Sequence, residues 1–155
     1  GLGGAVGTLA RTALETMHPA GAGSFPWTTW MINMVGSFLL GVLQESLALS
    51  GDDVGWRRAA RIGIGTGVIG GFTTYSTFVL ESDRLLGGPE SDIVVGLVYV
   101  VGSVTLGLVC AMLGIQSAKS AVTTLRRDRP EDEVLADVAP VDEVVAESAE
   151  DEGRS

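Results

Sequence analysis

The amino-acid sequence predicts an all-α membrane protein with four transmembrane helices and an acidic C-terminal tail. Two observations support this fold class. Long apolar runs alternate with short polar connections, and the mean hydropathy of +0.35 is high for a soluble domain. The formal net charge of −9 is concentrated in residues 126–155, which hold eleven acidic residues and four arginines. Because this charge is localised, it describes a tail and gives no reason to expect nucleic-acid binding.

Three apolar segments are long enough to cross a bilayer as helices. Residues 27–43, 62–80 and 93–115 contain 17, 19 and 23 residues without a formal charge. The hydrocarbon core of a bilayer is about 30 Å thick, and an α-helix of roughly 20 residues spans it. We predict these segments as the second, third and fourth spans.

The N-terminal segment, residues 1–17, is shorter and contains Arg11 and Glu15. We interpret it as the remaining part of a first span that is cut at its beginning, with Arg11 near enough to a helix end to reach the headgroups. The predicted four-helix membrane domain covers residues 1–118. Residues 119–155 are acidic and lack aromatic side chains, so they are predicted as a disordered cytoplasmic tail.

The composition argues against an enzyme or a cysteine- and histidine-based metal site. Cys110 and His18 are the single cysteine and histidine, so an internal disulfide is excluded and a zinc site or a Ser-His pair has little to draw on. The three charge-free spans also contain no carboxylate. Glu81 follows the third span directly and is interpreted as a surface or structural residue.

The third span is rich in glycine, at positions 63, 65, 67, 70 and 71. Glycines favour close packing of helices, which explains Gly63 and Gly67. The pair Gly70 and Gly71, followed by threonines, also fits a helix break, which a membrane tolerates where the backbone is buried or lines a cavity. The freed carbonyls could then hold a small hard cation. The residues alone leave both interpretations open.

Polar and small residues share one face on each of two other spans. On the second span they are Asn33, Gly36, Ser37 and Gly41. On the fourth they are Tyr99, Ser103 and Gly107. Asn33 either forms an ordinary interhelical hydrogen bond or donates to a polar path. Amide, hydroxyl and ring-edge donors without nearby carboxylates suit a small anion that loses its water. Four helices leave little interior for a pore, so a dimer is expected.

Four stretches, taken in order, resemble the Fluc/CrcB family of fluoride channels. They are GGAVGTLAR (3–11), NMVGSFLLG (33–41), GVIGGFTTYSTFVLE (67–81) and VYVVGSVTLG (98–107). The third stretch is the most specific of them. The resemblance covers about residues 1–118.

The resemblance implies an antiparallel, dual-topology dimer in the cell membrane that exports cytoplasmic fluoride passively through two pores. Matching pore positions are Asn33, Tyr75, Ser76, Thr77, Phe78, Tyr99 and Ser103. Tyr75 stands where phenylalanine is usual, and Gly107 stands where a hydroxyl is often found. The third helix of the family is broken. A structural sodium ion at the dimer centre would be held by backbone carbonyls matching Gly70 and Thr73 from both subunits.

The distribution of basic residues predicts cytoplasmic termini. With that orientation the inner side collects seven basic residues: Arg57, Arg58, Arg61, Lys119, Arg126, Arg127 and Arg129. The outer loops hold Arg84 alone. This bias favours one orientation, so we expect the antiparallel partner to be a second, homologous subunit. The alternative is that the bias is a by-product of the basic linker before the tail.

Two other functions fit less well. A small dimeric proton- or sodium-coupled exporter usually needs a carboxylate within the membrane, and the three clear spans have none. A structural membrane-assembly subunit would leave the aligned donors unexplained.

Overall fold

The computed structural model describes residues 1–19, 21, 24–87 and 93–127, with side chains up to residue 125. Within these ranges the chain is helical and contains no strand. The helices are α1 (Leu2–Met17), α2 (Trp27–Leu49), α3 (Trp56–Ala60), a π-helix (Arg61–Ile69), α4 (Gly70–Phe72), α5 (Ser76–Gly87) and α6 (Ile93–Arg127). The predicted all-α class is therefore confirmed for the described residues.

Two of the predicted spans have the length and composition of a membrane-crossing helix. These are Trp27–Leu49 and Ile93–Leu125, with mean hydropathies of 1.4 and 2.4. The first predicted span is a helix of 16 residues, and the third is divided into shorter helices. The α6 helix ends at Arg127, so it extends nine residues into the segment predicted as the tail. The remaining predicted tail, 128–155, lies outside the described residues.

The third segment contains the predicted break, but the break follows the glycine pair. Gly70 and Gly71 are helical, in α4, and Thr73 is the first extended residue, with ψ 154°. The Thr73 hydroxyl donates to the carbonyl of Ile69 at 3.0 Å, which closes the preceding helix. The nine-residue π-helix before the break was not predicted. Such wide turns are uncommon and occur often at functional sites.

Glycines allow α1 to lie directly against the third segment. A Cβ atom on Gly7 would collide with the carbonyl of Val68, and one on Gly71 would lie 2.5 Å from the carbonyl of Gly4. Both neighbours are backbone atoms, which cannot move aside as a flexible side chain can. The packing interpretation of Gly63 and Gly67 is supported at Gly67, where a Cβ atom would lie 3.3 Å from the Cα of Gly3, and not at Gly63, where a Cβ atom would have no neighbour within 4 Å. Gly71, which the sequence assigned to the break, is a packing residue as well.

Candidate functional site

A pocket of about 270 Å³ lies between α2, the break after α4, α5 and α6. Its lining residues are Asn33, Met34, Ser37, Thr73, Thr74, Tyr75, Phe78, Ser103, Val104 and Gly107. Four of the predicted pore residues are among them: Asn33, Tyr75, Phe78 and Ser103. The other three predicted pore residues, Ser76, Thr77 and Tyr99, are not among the lining residues. None of the ten lining residues is acidic.

Asn33 connects α2 to the break. Its Nδ2 donates to the carbonyl of Thr74 at 3.1 Å, and its Oδ1 accepts from the Thr74 N–H at 2.9 Å. The amide thus satisfies both backbone groups of a residue that has left the helix, as buried backbone groups require. One Nδ2 hydrogen remains for another acceptor. Asn33 therefore forms a structural hydrogen bond and is also a candidate donor to a ligand in the pocket. Both interpretations that the sequence left open are compatible with this geometry.

Thr74 also organises the hydroxyl residues that follow it, and the sequence did not single it out. Its Oγ1 accepts from the Thr77 N–H at 3.2 Å, which caps the start of α5. The same atom lies 3.1 Å from the Thr77 hydroxyl and 3.4 Å from the Ser76 hydroxyl. The predicted polar track is therefore a hydrogen-bonded cluster centred on Thr74. The signal available in the sequence was a threonine two residues before the first residue of α5.

The aromatic residues of the site form a row from the surface inwards. The ring centroids of Tyr75 and Phe78 are 6.3 Å apart, and those of Phe78 and Tyr99 are 5.3 Å apart. Tyr75 is 80% exposed, whereas Tyr99 is fully buried. Edges of such rings carry partial positive charge and can face an anion. Tyr75 and Phe78 line the pocket, whereas Tyr99 contacts the ring of Phe78 and is not a lining residue.

Glu81 is half-buried between α2 and α6, which favours the structural one of its two interpretations. Its Oε2 accepts a hydrogen bond from the Tyr99 hydroxyl at 2.8 Å, and its Oε1 accepts one from the Thr29 hydroxyl at 2.8 Å. Thr29 is 2% exposed. A carboxylate satisfied by two hydroxyls can be retained among helices because its acceptor atoms are paired. The three residues connect α2, α5 and α6 next to the pocket.

The chain matches the family described as "CrcB-like protein, Camphor Resistance (CrcB)" over residues 1–115. It belongs to the CrcB-like family. Among its curated relatives is "Fluoride-specific ion channel FluC 2" of Leifsonia xyli, 43% identical over 74% of this chain and 77% of the relative. "Fluoride-specific ion channel FluC 1" of Cutibacterium acnes is 41% identical over 76% and 81% of the two chains. "Fluoride-specific ion channel FluC" of Deinococcus radiodurans is 45% identical over 73% and 86%. The resemblance noted in the sequence is therefore confirmed.

Arg11 of this CrcB-like chain bonds within the protein, contrary to the interpretation that it only reaches the headgroups. Its Nε donates to the carbonyl of Gly71 at 3.4 Å, and its guanidinium lies 3.3 Å from the carboxylate of Glu15. The hydroxyl of Thr8 approaches the same Gly71 carbonyl at 3.4 Å. The end of α4 is thus tied to α1 immediately before the break.

The break leaves two carbonyls of the CrcB-like chain without their usual helical donors. In a continuous helix the Thr74 N–H would donate to Gly70, and the Thr77 N–H would donate to Thr73. Here the first donates to Asn33 Oδ1 and the second to Thr74 Oγ1. Within the described residues no group of three or more His, Cys, Asp or Glu side chains could hold a metal ion. Backbone oxygens at the break are the alternative source of ligands for a hard cation.

Proposed function

We propose that this chain is a subunit of a fluoride-selective channel, which exports cytoplasmic fluoride passively through the pores of an antiparallel dimer in the cell membrane. The observation that carries the proposal is the pocket. It brings together an amide hydrogen of Asn33, the hydroxyl of Ser103 and the rings of Tyr75 and Phe78, and its lining contains no carboxylate. The names of relatives at 41–45% identity support fluoride as the ion.

The proposed mechanism is replacement of water by protein donors. A small anion loses affinity for a site unless each water it sheds is replaced by a donor of similar strength. Asn33 is held by Thr74, so its free N–H is fixed in direction before the ion arrives. The ring edges of Tyr75 and Phe78 add weaker donors on the opposite side. A channel breaks no bond, so the proposal assigns no catalytic residue and the protein is not an enzyme.

A second subunit would complete the path. The pocket opens to the surface beside Tyr75, whose ring is 80% exposed. A partner that covers this opening would separate the ion from lipid, which a charge in a membrane requires. We propose that the partner is a homologous subunit in the opposite orientation, with the termini of this chain in the cytoplasm.

A structural sodium ion at the dimer centre fits the residues present. The carbonyls of Gly70 and Thr73, relieved of their helical donors, would hold it together with the same atoms of the partner subunit. Bound there, the ion would supply fixed positive charge that keeps the two breaks together. Oxygen ligands suit a hard cation. The side chains of Asn33 and Thr74 accept the N–H groups of Thr74 and Thr77, which would otherwise donate to these two carbonyls.

One observation favours an alternative, a proton- or sodium-coupled exporter. Glu81 is a half-buried carboxylate of the kind that such exporters use. However, it lies outside the pocket lining, and hydroxyls of Thr29 and Tyr99 already occupy both of its oxygens. The channel is therefore the better interpretation.

Fluoride efflux from vesicles tests the proposal. The assembled channel, with its second subunit where it requires one, is reconstituted into vesicles loaded with potassium fluoride, and a fluoride electrode follows efflux after valinomycin is added. We expect rapid efflux of fluoride that needs no pH or sodium gradient, with chloride retained. Efflux that appears only with an imposed gradient would support the exporter. Equal efflux of chloride would reject the selectivity.

A further inference from the structure

We infer that Ser37 is a further anion-contacting residue, at the end of the pocket away from the break, and that Gly107 keeps this end open to the ion. The inference rests on the proposed channel function and assigns a further donor to the pocket. Ser37 was noted in the sequence as part of a stripe and received no role there.

Two serine hydroxyls that line the pocket have no hydrogen-bond partner among the described residues. Ser103 Oγ is fully buried and is the one buried side-chain oxygen or nitrogen without a hydrogen bond in the described part of the chain. Ser37 is half-buried, and its hydroxyl also makes no hydrogen bond with any described residue. Leaving a buried hydroxyl unpaired is unfavourable. Ser103 is such a group. The Ser37 hydroxyl on the facing helix is half-buried and is a second donor without a partner in the same pocket, so the two together indicate a ligand that accepts hydrogen bonds.

The two helices present these groups in register. Ser37 follows Asn33 by four residues on α2, and Gly107 follows Ser103 by four residues on α6, so each pair lies on one helix face. A Cβ atom built on Gly107 would lie 3.7 Å from Ser37 Oγ. The Ser37 hydroxyl therefore faces α6 across the space that the missing side chain of Gly107 leaves.

The groove between α2 and α6 closes beyond this level. A Cβ atom on Gly41 would collide with the carbonyl of Ala111, and one on Gly114 would collide with the carbonyl of Phe38. The helices are thus in backbone contact one turn after Ser37. An ion that has passed Asn33 and Ser103 therefore cannot continue between these two helices. The Ser37 hydroxyl is the last donor of the pocket lining on α2 before the helices meet, so it can replace contacts that the ion loses there.

Replacement of Ser37 by alanine tests the inference in the vesicle assay. Loss of one hydrogen bond to a charged ligand corresponds to roughly tenfold slower fluoride efflux. The matched control is Ser117→Ala on α6, whose hydroxyl is bonded to its own helix at Leu113 and is exposed, so efflux stays unchanged. Size-exclusion chromatography and thermal unfolding verify that both variants are assembled.

A rescue variant separates an ion contact from a packing effect. The Cβ of a new residue 107 would meet only Met34 Cε at 3.5 Å and Ser37 Oγ at 3.7 Å, which are ordinary contacts. Gly107→Ser in the Ser37→Ala background therefore places a hydroxyl in the same space and is expected to recover at least half of the lost rate. Gly107→Ala in that background fills the space without a donor and is expected to recover nothing.

The outcomes reject different statements. Wild-type vesicles that pass no fluoride reject the proposed channel and, with it, this inference. Wild-type efflux together with an unchanged rate in folded Ser37→Ala rejects the inference alone. Equal recovery by serine and alanine at position 107 would assign Ser37 to packing and reject the ion contact.

Discussion

The side-chain amide of Asn33 forms two hydrogen bonds with the backbone of Thr74, at 3.1 and 2.9 Å, across the break in the third segment. One side chain on α2 thereby holds the N–H and the carbonyl of a residue that no longer belongs to a helix. The same contact directs the Thr74 N–H away from the carbonyl of Gly70. It also fixes the orientation of the Asn33 amide, whose remaining hydrogen is available to the pocket. The break and the pocket therefore share this contact.

Replacement of Asn33 is expected to separate the two functions of its amide. Asn33→Asp still accepts from the Thr74 N–H but cannot donate to its carbonyl, and it places negative charge beside the ion. Because repulsion is strong where the dielectric is low, we expect fluoride efflux to fall by roughly a hundredfold or more. Gln44→Ala, an exposed amide on the same helix, is the control. Normal efflux in a folded Asn33→Asp channel would leave Asn33 with the structural role alone.

Asn33→Ala removes both hydrogen bonds to Thr74 without adding charge. The Thr74 N–H and carbonyl would both lose their partner, and each unpaired buried group costs about 1–3 kcal/mol. We therefore expect a clear decrease of the thermal unfolding temperature in detergent, larger than that caused by Gln44→Ala. An unchanged unfolding temperature would show that the break does not need Asn33.

The ring of Phe78 is expected to matter for its edge and not only for its size. Phe78→Ile keeps an apolar side chain but removes the partial positive charge of the ring edge. Because each edge contact contributes roughly 1 kcal/mol and the shape of the pocket also changes, fluoride efflux should slow by about tenfold or more. Tyr75→Phe retains the ring and is expected to conduct within about twofold of the unmodified channel, since the Tyr75 hydroxyl is exposed. Similar rates for all three proteins would exclude a direct role of the rings.

The carboxylate of Glu81 is expected to couple Thr29 and Tyr99 energetically. Tyr99→Phe and Thr29→Val each remove one donor, and a hydrogen bond to a charged group contributes about 1.5–3 kcal/mol to stability. Because both donors serve one carboxylate, the double variant should differ from the sum of the single variants by at least about 0.5 kcal/mol. Strict additivity of the unfolding free energies would contradict this coupling.

Sodium is expected to stabilise the assembled protein. A ligand that binds the folded state alone adds about 2.7 kcal/mol at a hundred times its dissociation constant. The unfolding temperature should therefore rise with sodium concentration and stay lower in choline chloride of equal ionic strength. Equal unfolding temperatures in the two salts, over the whole concentration range, would remove the sodium ion from the proposal.

Local patterns in the sequence predicted the long helices, and the family resemblance supplied four of the ten residues that line the pocket. Both were insufficient where long-range contacts decide. The spans at residues 27–43 and 93–115 followed from their uniform apolar character, since such runs need no tertiary context to be recognised. The break predicted around Gly70, Gly71 and the following threonines begins at Thr73, and local sequence could not show that Asn33, 41 residues from Thr74, supplies the hydrogen bonds of Thr74. The sequence left Glu81 as a surface or structural residue because its partners are on two other helices.

The final prediction concerns the orientation of the chain in the membrane. Arg57 and Arg58 lie in the short helix α3, next to Trp56, whose ring the guanidinium of Arg57 overlies at 5.8 Å. Aromatic and basic residues together are typical of a membrane interface, and basic residues favour the cytoplasmic side. With cytoplasmic termini seven basic residues lie inside and only Arg84 lies outside, so this chain is expected to insert in one orientation.

A chain with one orientation cannot form an antiparallel dimer with itself, so we expect its partner to be a homologous subunit of opposite bias. We expect a C-terminal tag to be accessible only after the cell is permeabilised, and the chain expressed alone to conduct little fluoride. Coexpression with a homologous subunit of opposite charge bias should restore fluoride efflux. The control is a triple variant that shifts positive charge to the outer side: Asp83→Lys, Arg57→Gln and Arg58→Gln. It should insert in both orientations, because the positive-inside rule counts basic residues near the ends of spans. A nearly equal distribution of tags in the unmodified chain, or full conduction by this chain alone, would overturn the heterodimer and leave a dual-topology homodimer in its place.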